Sequence, residues 1–287
     1  MTAVSFLQTP DGLKLQHRLW TSSVWNGAVV AIIHGVGEHS GRYDYVAQHL
    51  VAHGFAVAAL DLRGHGESEG RRVYIDRYTD FVGDITQWIG AVTVRLHSTQ
   101  MFILGHSAGG LLALKYLLDG HRSVDGLILS GAAVKINEDM SPLLQCLSGI
   151  IASVVPRMRT IKLNANLISR DPTVVQEYMR DPLVYTGGLP ARYGHLVLQT
   201  TREVQEKFHE LKLPLLILHG GSDRLVYPEA SWSLFSNCGS DDKSIRIYEG
   251  LFHEIFNEPE RDKIIVDVIN WLKVRLIHPN HDDQDPT

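Results

Sequence analysis

The sequence has only two cysteines, Cys146 and Cys238, among its 287 residues. Two cysteines cannot build the disulfide framework of a small secreted domain, so we expect a reducing compartment. No apolar run reaches the roughly 18 residues of a membrane-spanning helix. The first eight residues lack the basic cluster and long apolar stretch of a signal peptide, so we expect none. These features predict a cytoplasmic protein.

An excess of basic charge is also absent, because 27 Lys and Arg residues stand against 32 Asp and Glu residues. The net charge of −5 argues against a phosphate-backbone ligand, so we expect no nucleic-acid partner. The spacings C-x-x-C and H-E-x-x-H do not occur, and we expect no catalytic metal. The glycine-rich stretch 35–41 lacks the Lys-Ser/Thr pair of a phosphate-binding Walker loop.

The sequence does contain short apolar runs that alternate with one-sided amphipathic stretches. Apolar runs predict buried strands at 28–33, 55–60, 101–104, 126–130, 213–218 and 244–248. Runs on either side of Pro10-Asp11-Gly12 predict a hairpin. Helical spacing is found at 43–53, 79–96, 229–235 and in a terminal helix that opens at Pro259. The alternation predicts an α/β fold with a mostly parallel sheet covered on both sides.

Residues 137–188 interrupt this alternation with helix signals and no clear strand. Ser141 and Pro142 can start a helix whose apolar face includes Ile151 and Val154. We expect a helical cap at 137–188, inserted after the sixth strand into a core domain of 1–136 and 189–277, and a disordered tail at 278–287. The apolar face has two interpretations. It packs on the main domain, or it forms a lid that lines an acyl pocket and touches membranes or micelles.

The segment Gly105-His106-Ser107-Ala108-Gly109 lies between an apolar run and a leucine-rich helical pattern. In this strand–turn–helix context a sharp turn exposes the serine hydroxyl as a nucleophile. The acid and then the histidine base follow later in the chain. Asp223 comes after the 213–218 run, whereas its competitors Asp241 and Asp242 precede a strand. His253 comes after the 244–248 run. We therefore predict a catalytic triad of Ser107, Asp223 and His253.

An oxyanion formed during attack on an ester needs preorganised N–H donors. The residue after the nucleophile supplies one donor, which predicts the backbone N–H of Ala108. The second donor comes from the loop after the 28–33 strand, where we select the backbone N–H of Val36. Glycines on both sides of Val36 fit a backbone that approaches the substrate closely.

Three segments resemble the monoacylglycerol lipases of the α/β-hydrolase superfamily, a family also labelled lysophospholipase-like or serine-aminopeptidase-like. They are HGVGEHSGRY (34–43), DLRGHGES (61–68) and GHSAGG (105–110). The resemblance implies a cofactor-independent serine hydrolase that cleaves monoacylglycerols, with the same triad and oxyanion donors. It also implies that Glu38 and Arg42 shape the glycerol end of the pocket and that Tyr178 faces the pocket from the cap.

The chain departs from the family pattern at two positions. Ala108 replaces the usual methionine, and Phe256 stands where some members carry a second histidine. Glu38 has an alternative interpretation as a solvated loop acid. The substrate also has alternatives, because a lysophospholipid or a short- or medium-chain ester would use the same triad. The sequence leaves the oligomeric state open.

Overall fold

The computed structural model describes residues 2–121, 124–135 and 142–276, with side chains of 142–147 outside the description. Cys146, the predicted helix start at Ser141 and the predicted tail at 278–287 therefore lie outside what the structure describes. The strands are β1 (Thr2–Gln8), β2 (Lys14–Trp20), β3 (Ala28–Ile33), β4 (Ala56–Leu60), β5 (Gln100–His106), β6 (Gly126–Ser130), β7 (Arg159–Lys162), β8 (Gly188–Pro190), β9 (Leu215–Gly220) and β10 (Lys243–Tyr248). The helices are α1 (Asp44–Ala52), α2 (Tyr78–Leu96), α3 (Ala108–Leu118), α4 (Pro142–Val154), α5 (Pro172–Arg180), α6 (Ala191–Glu206), α7 (Glu229–Asn237) and α8 (Arg261–Lys273).

Eight strands form the central sheet in the order β1-β2-β4-β3-β5-β6-β9-β10. Strand β2 pairs antiparallel with β1 and β4, and the remaining pairs are parallel. The predicted hairpin and the predicted mostly parallel sheet are both confirmed. Parallel strands direct their carboxyl ends to one edge of the sheet, and ligand sites collect there.

Both faces of the sheet are covered. Every residue of β3, β4, β5 and β6 is buried, which explains why these strands carry continuous apolar runs, with polar residues only at the ends of β5 and β6, instead of alternating. One apolar layer includes Trp88 of α2 and Tyr116 of α3. The opposite layer includes Leu50 of α1 and Ile265 of α8. This rigid core fixes the loops at the carboxyl edge.

The segment between β6 and α6 contains the predicted helices and an unpredicted strand pair. Strands β7 and β8 form a separate antiparallel two-stranded sheet, so the expectation of no strand here was wrong. All four β7 residues are exposed, and such a strand has no buried face that could produce an alternating pattern. Within the described ranges, no helix has both the length and the apolarity needed to cross a bilayer.

Candidate active site

Ser107 occupies the turn between β5 and α3 with φ of 52° and ψ of −121°. A Cβ atom on Gly109 would lie 2.2 Å from the Ile33 carbonyl oxygen, and one on Gly105 would lie 2.8 Å from the Gly110 Cα. Side chains at either position would force the turn apart. The G-x-S-x-G pattern is therefore a packing requirement, and it places Ser107 at the wall of a cavity.

Asp223 and His253 follow the neighbouring parallel strands β9 and β10, so the sheet brings them together. The Asp223 Oδ2 atom lies 2.6 Å from His253 Nδ1. Asp223 Oδ1 accepts hydrogen bonds from the backbone N–H groups of Leu225 at 2.8 Å and Val226 at 3.0 Å. A carboxylate facing Nδ1 assigns the proton to that nitrogen, which leaves Nε2 with a free lone pair.

The two groups shift each other's pKa in the directions that base catalysis needs. Burial acts to lower the pKa of His253, but the Asp223 carboxylate outweighs burial and the pKa is raised above its usual value. Burial acts to raise the pKa of Asp223, but the imidazoles of His253 and His219 outweigh it and the pKa lies well below its usual value. Asp223 is therefore ionised, and His253 is a stronger base than a free histidine.

Ser107 and His253 line the same cavity. Within the described part of the chain, no hydrogen bond joins the two side chains. In the absence of substrate such bonds are often long, and they tighten in the substrate complex. Rotation about the Ser107 Cα–Cβ bond moves the hydroxyl without disturbing the turn.

The loop at residues 35–37 lies directly against the nucleophile. A Cβ atom on Gly35 would be 3.2 Å from the Ser107 Cβ, so a side chain there would require its neighbours to shift by a few tenths of an ångström. Val36 and Ala108 both line the cavity. Some backbone hydrogen bonds of the described residues lie outside regular helices and strands. None of these bonds is donated by the N–H group of Val36 or Ala108. Val36 and Ala108 thus line the same cavity as Ser107, and an oxyanion formed there would need N–H donors of this kind.

A buried ionic cluster closes the polar end of the cavity. Arg42 donates to Glu38 Oε2 at 3.0 Å and to both Glu254 oxygens at 2.7 and 2.6 Å. Glu38 Oε1 also accepts from the Gly35 N–H at 2.6 Å and the Tyr43 hydroxyl at 2.9 Å. Glu38 is only 4% exposed, so its interpretation as a solvated acid was wrong. Burial acts to raise the pKa of Glu38, but Arg42, His106, His34 and the Gly35 N–H together outweigh burial and lower the pKa to about 2.

Glu38 and Glu254 line the cavity directly, whereas Arg42 stands behind them. The Arg42 guanidinium also lies over the Tyr178 ring, 4.8 Å from its centroid, and Tyr178 lines the cavity as the resemblance implied. The sequence analysis missed Glu254. It belongs to no motif, and only its position directly after His253 would have drawn attention to it.

Helix α4 contributes Ile151 to the cavity wall but not Val154. Val154 is 73% exposed, so its predicted place in the pocket is corrected. A helix turns by about 100° per residue, so Val154 lies about 200° from the buried Ala152 and about 60° from Ile151, at the solvent-exposed edge of the cavity-facing side. The cavity has a volume of about 800 Å³, in the range of small-molecule sites. Much of its remaining wall is apolar, with Ile161, Leu163, Met179, Leu189, Val197 and Leu198.

Comparison with known proteins gives matches over nearly the whole chain. Residues 26–260 match the family model described as serine aminopeptidase, S33. The chain is 35% identical over 265 residues to the monoacylglycerol lipase of Mycolicibacterium smegmatis, which covers 92% of this chain and 95% of that protein. It is 31% identical over 272 residues to the monoglyceride lipase of Homo sapiens, with 94% and 90% covered.

Solved structures give the same result. The Paleococcus ferrophilus monoacylglycerol lipase superposes with a TM-score of 0.80 at 28% identity, covering 91% of this chain and 99% of that one. A soluble variant of the Saccharomyces cerevisiae monoglyceride lipase, in complex with a substrate analog, has the same fold, with a TM-score of 0.85 at 23% identity and 97% and 96% covered. The α/β-hydrolase fold is confirmed, and the chain belongs to the monoacylglycerol lipase family of the α/β-hydrolase superfamily.

Proposed function

We propose that the protein hydrolyses the carboxylic ester of monoacylglycerols to glycerol and a free fatty acid. One observation carries the proposal. Ser107, on its strained turn, shares a largely apolar cavity with a His253 ring that is hydrogen bonded to a buried Asp223 carboxylate. A serine hydroxyl needs such a base to become nucleophilic, and an apolar wall accommodates the acyl chain.

The chemistry takes two steps. His253 Nε2 removes the proton from the Ser107 hydroxyl as its oxygen attacks the ester carbonyl carbon, and the backbone N–H groups of Val36 and Ala108 stabilise the oxyanion. Collapse of this intermediate breaks the ester C–O bond, and His253 gives the proton to the departing glycerol oxygen. Water then attacks the acyl-enzyme with His253 again as base, which releases the fatty acid and restores Ser107.

The charge of the ionic cluster favours a substrate whose head group is a neutral alcohol over one whose head group carries a phosphate. Two carboxylates, Glu38 and Glu254, face the cavity with one guanidinium, that of Arg42, between them. This arrangement carries a net negative charge, which accepts hydrogen bonds from glycerol hydroxyls and repels an anionic phosphoglycerol head. The alternative activities, a lysophospholipase or a short- or medium-chain carboxylesterase, would use the same triad.

We also propose that residues 137–188 form a cap over a core of 1–136 and 189–277, and that the cap meets lipid surfaces. Outside the cavity wall it exposes large apolar side chains, namely Ile150, Val154, Val155 and Met158. Basic residues Arg157, Arg159 and Lys162 lie among or just after them in the sequence. Exposed apolar groups beside cations are typical of segments that rest in the headgroup region of a bilayer.

The test of the nucleophile is Ser107→Ala, with Ser240→Ala as a control at a buried serine outside the cavity. We expect Ser107→Ala to lose at least about 10³-fold in kcat and to fail to react with a fluorophosphonate probe, because removal of the nucleophile abolishes acylation. The control should keep both. Substantial ester turnover by Ser107→Ala would refute the assignment.

The test of the substrate compares turnover of monoacylglycerol, lysophosphatidylcholine and p-nitrophenyl esters of increasing chain length. We expect the highest kcat/KM with monoacylglycerol, because both the acyl wall and the polar cluster are then used. Preference for lysophosphatidylcholine, or for the shortest esters, would establish the corresponding alternative instead.

A further inference from the structure

The carboxylate that orients His253 has a second imidazole partner. His219, in β9, is completely buried, and its Nε2 atom lies 3.1 Å from Asp223 Oδ2. The same Nε2 atom lies 2.8 Å from the Val226 carbonyl oxygen, and His219 Nδ1 lies 2.6 Å from the Ser231 hydroxyl. The triad accounts for His253, but it leaves this second histidine without a role.

The partners of His219 assign its protons. Nε2 faces two acceptors, the Asp223 carboxylate and the Val226 carbonyl, and therefore carries the hydrogen. Nδ1 is then the acceptor in the neutral ring, and the Ser231 hydroxyl donates to it. Ser231 is itself buried in α7, so the packing of that helix fixes the tautomer of His219.

We infer that His219 is a positioning residue for the reaction, which holds Asp223 in the rotamer that orients His253. This inference rests on the proposed function. Asp223 has four donor groups around it: the Leu225 and Val226 N–H groups at Oδ1, His253 at Oδ2, and His219 Nε2, which shares its hydrogen with the Val226 carbonyl and lies 3.1 Å from Oδ2. These contacts on both oxygens restrict rotation of the carboxylate.

His219 acts only through Asp223. It is fully buried and does not line the cavity, so it makes no contact with substrate. Without its hydrogen bond, Oδ2 would keep one partner and the carboxylate could tilt away from His253 Nδ1. The acylation step then slows, while the residues that bind the acyl chain and the alcohol stay in place. The expected effect is on kcat and not on KM.

The experiment compares His219→Leu with His219→Gln, whose amide nitrogen can occupy the place of Nε2. On an ester that the wild type hydrolyses, we expect His219→Leu to lose about 10- to 100-fold in kcat, with KM changed less than about twofold. His219→Gln should recover most of the loss, because it restores a donor to Asp223. Wild-type kcat in His219→Leu, or no recovery in a folded His219→Gln, would overturn the inference.

A double mutant separates positioning from a merely structural role. In an Asp223→Asn background, His219→Leu should lower kcat by less than about twofold more, because the group through which it acts is already altered. An unchanged 10- to 100-fold loss there would overturn the inference. If His219→Leu does not fold, Ser231→Ala tests the same chain of bonds, and a wild-type kcat in that variant would count against it. Failure of the proposed function looks different, since the wild type itself would then lack turnover and probe labelling.

Discussion

Ser107 adopts a backbone conformation that is unfavourable for a residue with a side chain, at a cost of about 1–3 kcal/mol. The surrounding backbone holds it there. Its N–H donates to the Ser130 carbonyl at 2.9 Å, and its carbonyl accepts from Gly110 at 3.0 Å and Ala133 at 3.1 Å. The strain therefore persists because strand β6 and helix α3 fix both sides of the turn, and it exposes the hydroxyl to substrate.

The pH dependence of kcat/KM reports His253 in the free enzyme. A raised pKa means that the ring stays protonated to a higher pH, and a protonated ring cannot accept the Ser107 proton. Activity should therefore fall as the pH drops through an apparent pKa above 6.5, the value for a free histidine. We expect Asp223→Asn to lower both the apparent pKa of this profile and the maximal rate. Substitution of the exposed Asp241 by Asn should change neither. A wild-type profile that is flat between pH 5 and 9 would contradict His253 as the base.

At the scale of elements, the two halves of the inserted segment are attached differently. The later half is tied to the core through the Tyr185 N–H to the Gly37 carbonyl at 2.7 Å, the Glu254 N–H to the Ile168 carbonyl at 2.7 Å, and His39 to Asp181 at 2.9 Å. The earlier half is tied to α6, which belongs to the core: Ser148 of helix α4 lies 3.2 Å from His195, and the Ala191 N–H donates to the Met158 carbonyl at 2.8 Å. If the cap opens at a lipid surface through α4, this helix has to separate from α6.

Ile151 and Val154 on α4 give a matched pair of variants. Ile151→Gln should lower kcat/KM for long-chain monoacylglycerol about 10-fold in every physical state, because it removes about 1.5 kcal/mol of apolar contact from the cavity wall. Val154→Gln should leave the rate on monomeric short-chain esters within about twofold and lower the rate on micellar substrate. Equal rates on monomeric and micellar substrate, unaffected by Val154→Gln, would exclude interfacial opening.

At the scale of the whole molecule, the ionic cluster links stability to pH. The pKa of Glu38 is about 2 in the folded protein and 4.5 as an ordinary glutamate, so its stabilisation is present above pH 4.5 and is lost as pH falls towards 2. Between pH 4.5 and 2, the free energy of unfolding of the wild type should fall by up to about 1.4 kcal/mol per pH unit more than that of Glu38→Gln. Urea unfolding at several pH values measures this slope. The exposed control Glu210→Gln should follow the wild type, and equal slopes in Glu38→Gln and wild type would disprove the role of Glu38.

Local sequence was sufficient for the elements of the core. Strands β3 and β6 were predicted with their observed bounds, because a strand buried on both faces has a continuous apolar run instead of an alternating pattern. The turn at Ser107 was predictable because its glycines are required by contacts with the adjacent backbone. Helix α6 was not predicted, since polar Thr200 and Thr201 occupy part of its buried face and obscure the apolar period.

The sequence by itself determined the order of the central strands, the strained serine turn and the positions after β9 and β10 where an acid and a histidine follow. Only the tertiary structure decided that Glu254 shares Arg42 with Glu38, that His219 shares Asp223 with His253, and that Val154 lies outside the cavity wall. The physical reason is the distance along the chain over which each interaction acts. Strand and turn patterns depend on near neighbours in the chain, whereas the partner of a buried charge is whichever residue the packed sheet brings beside it.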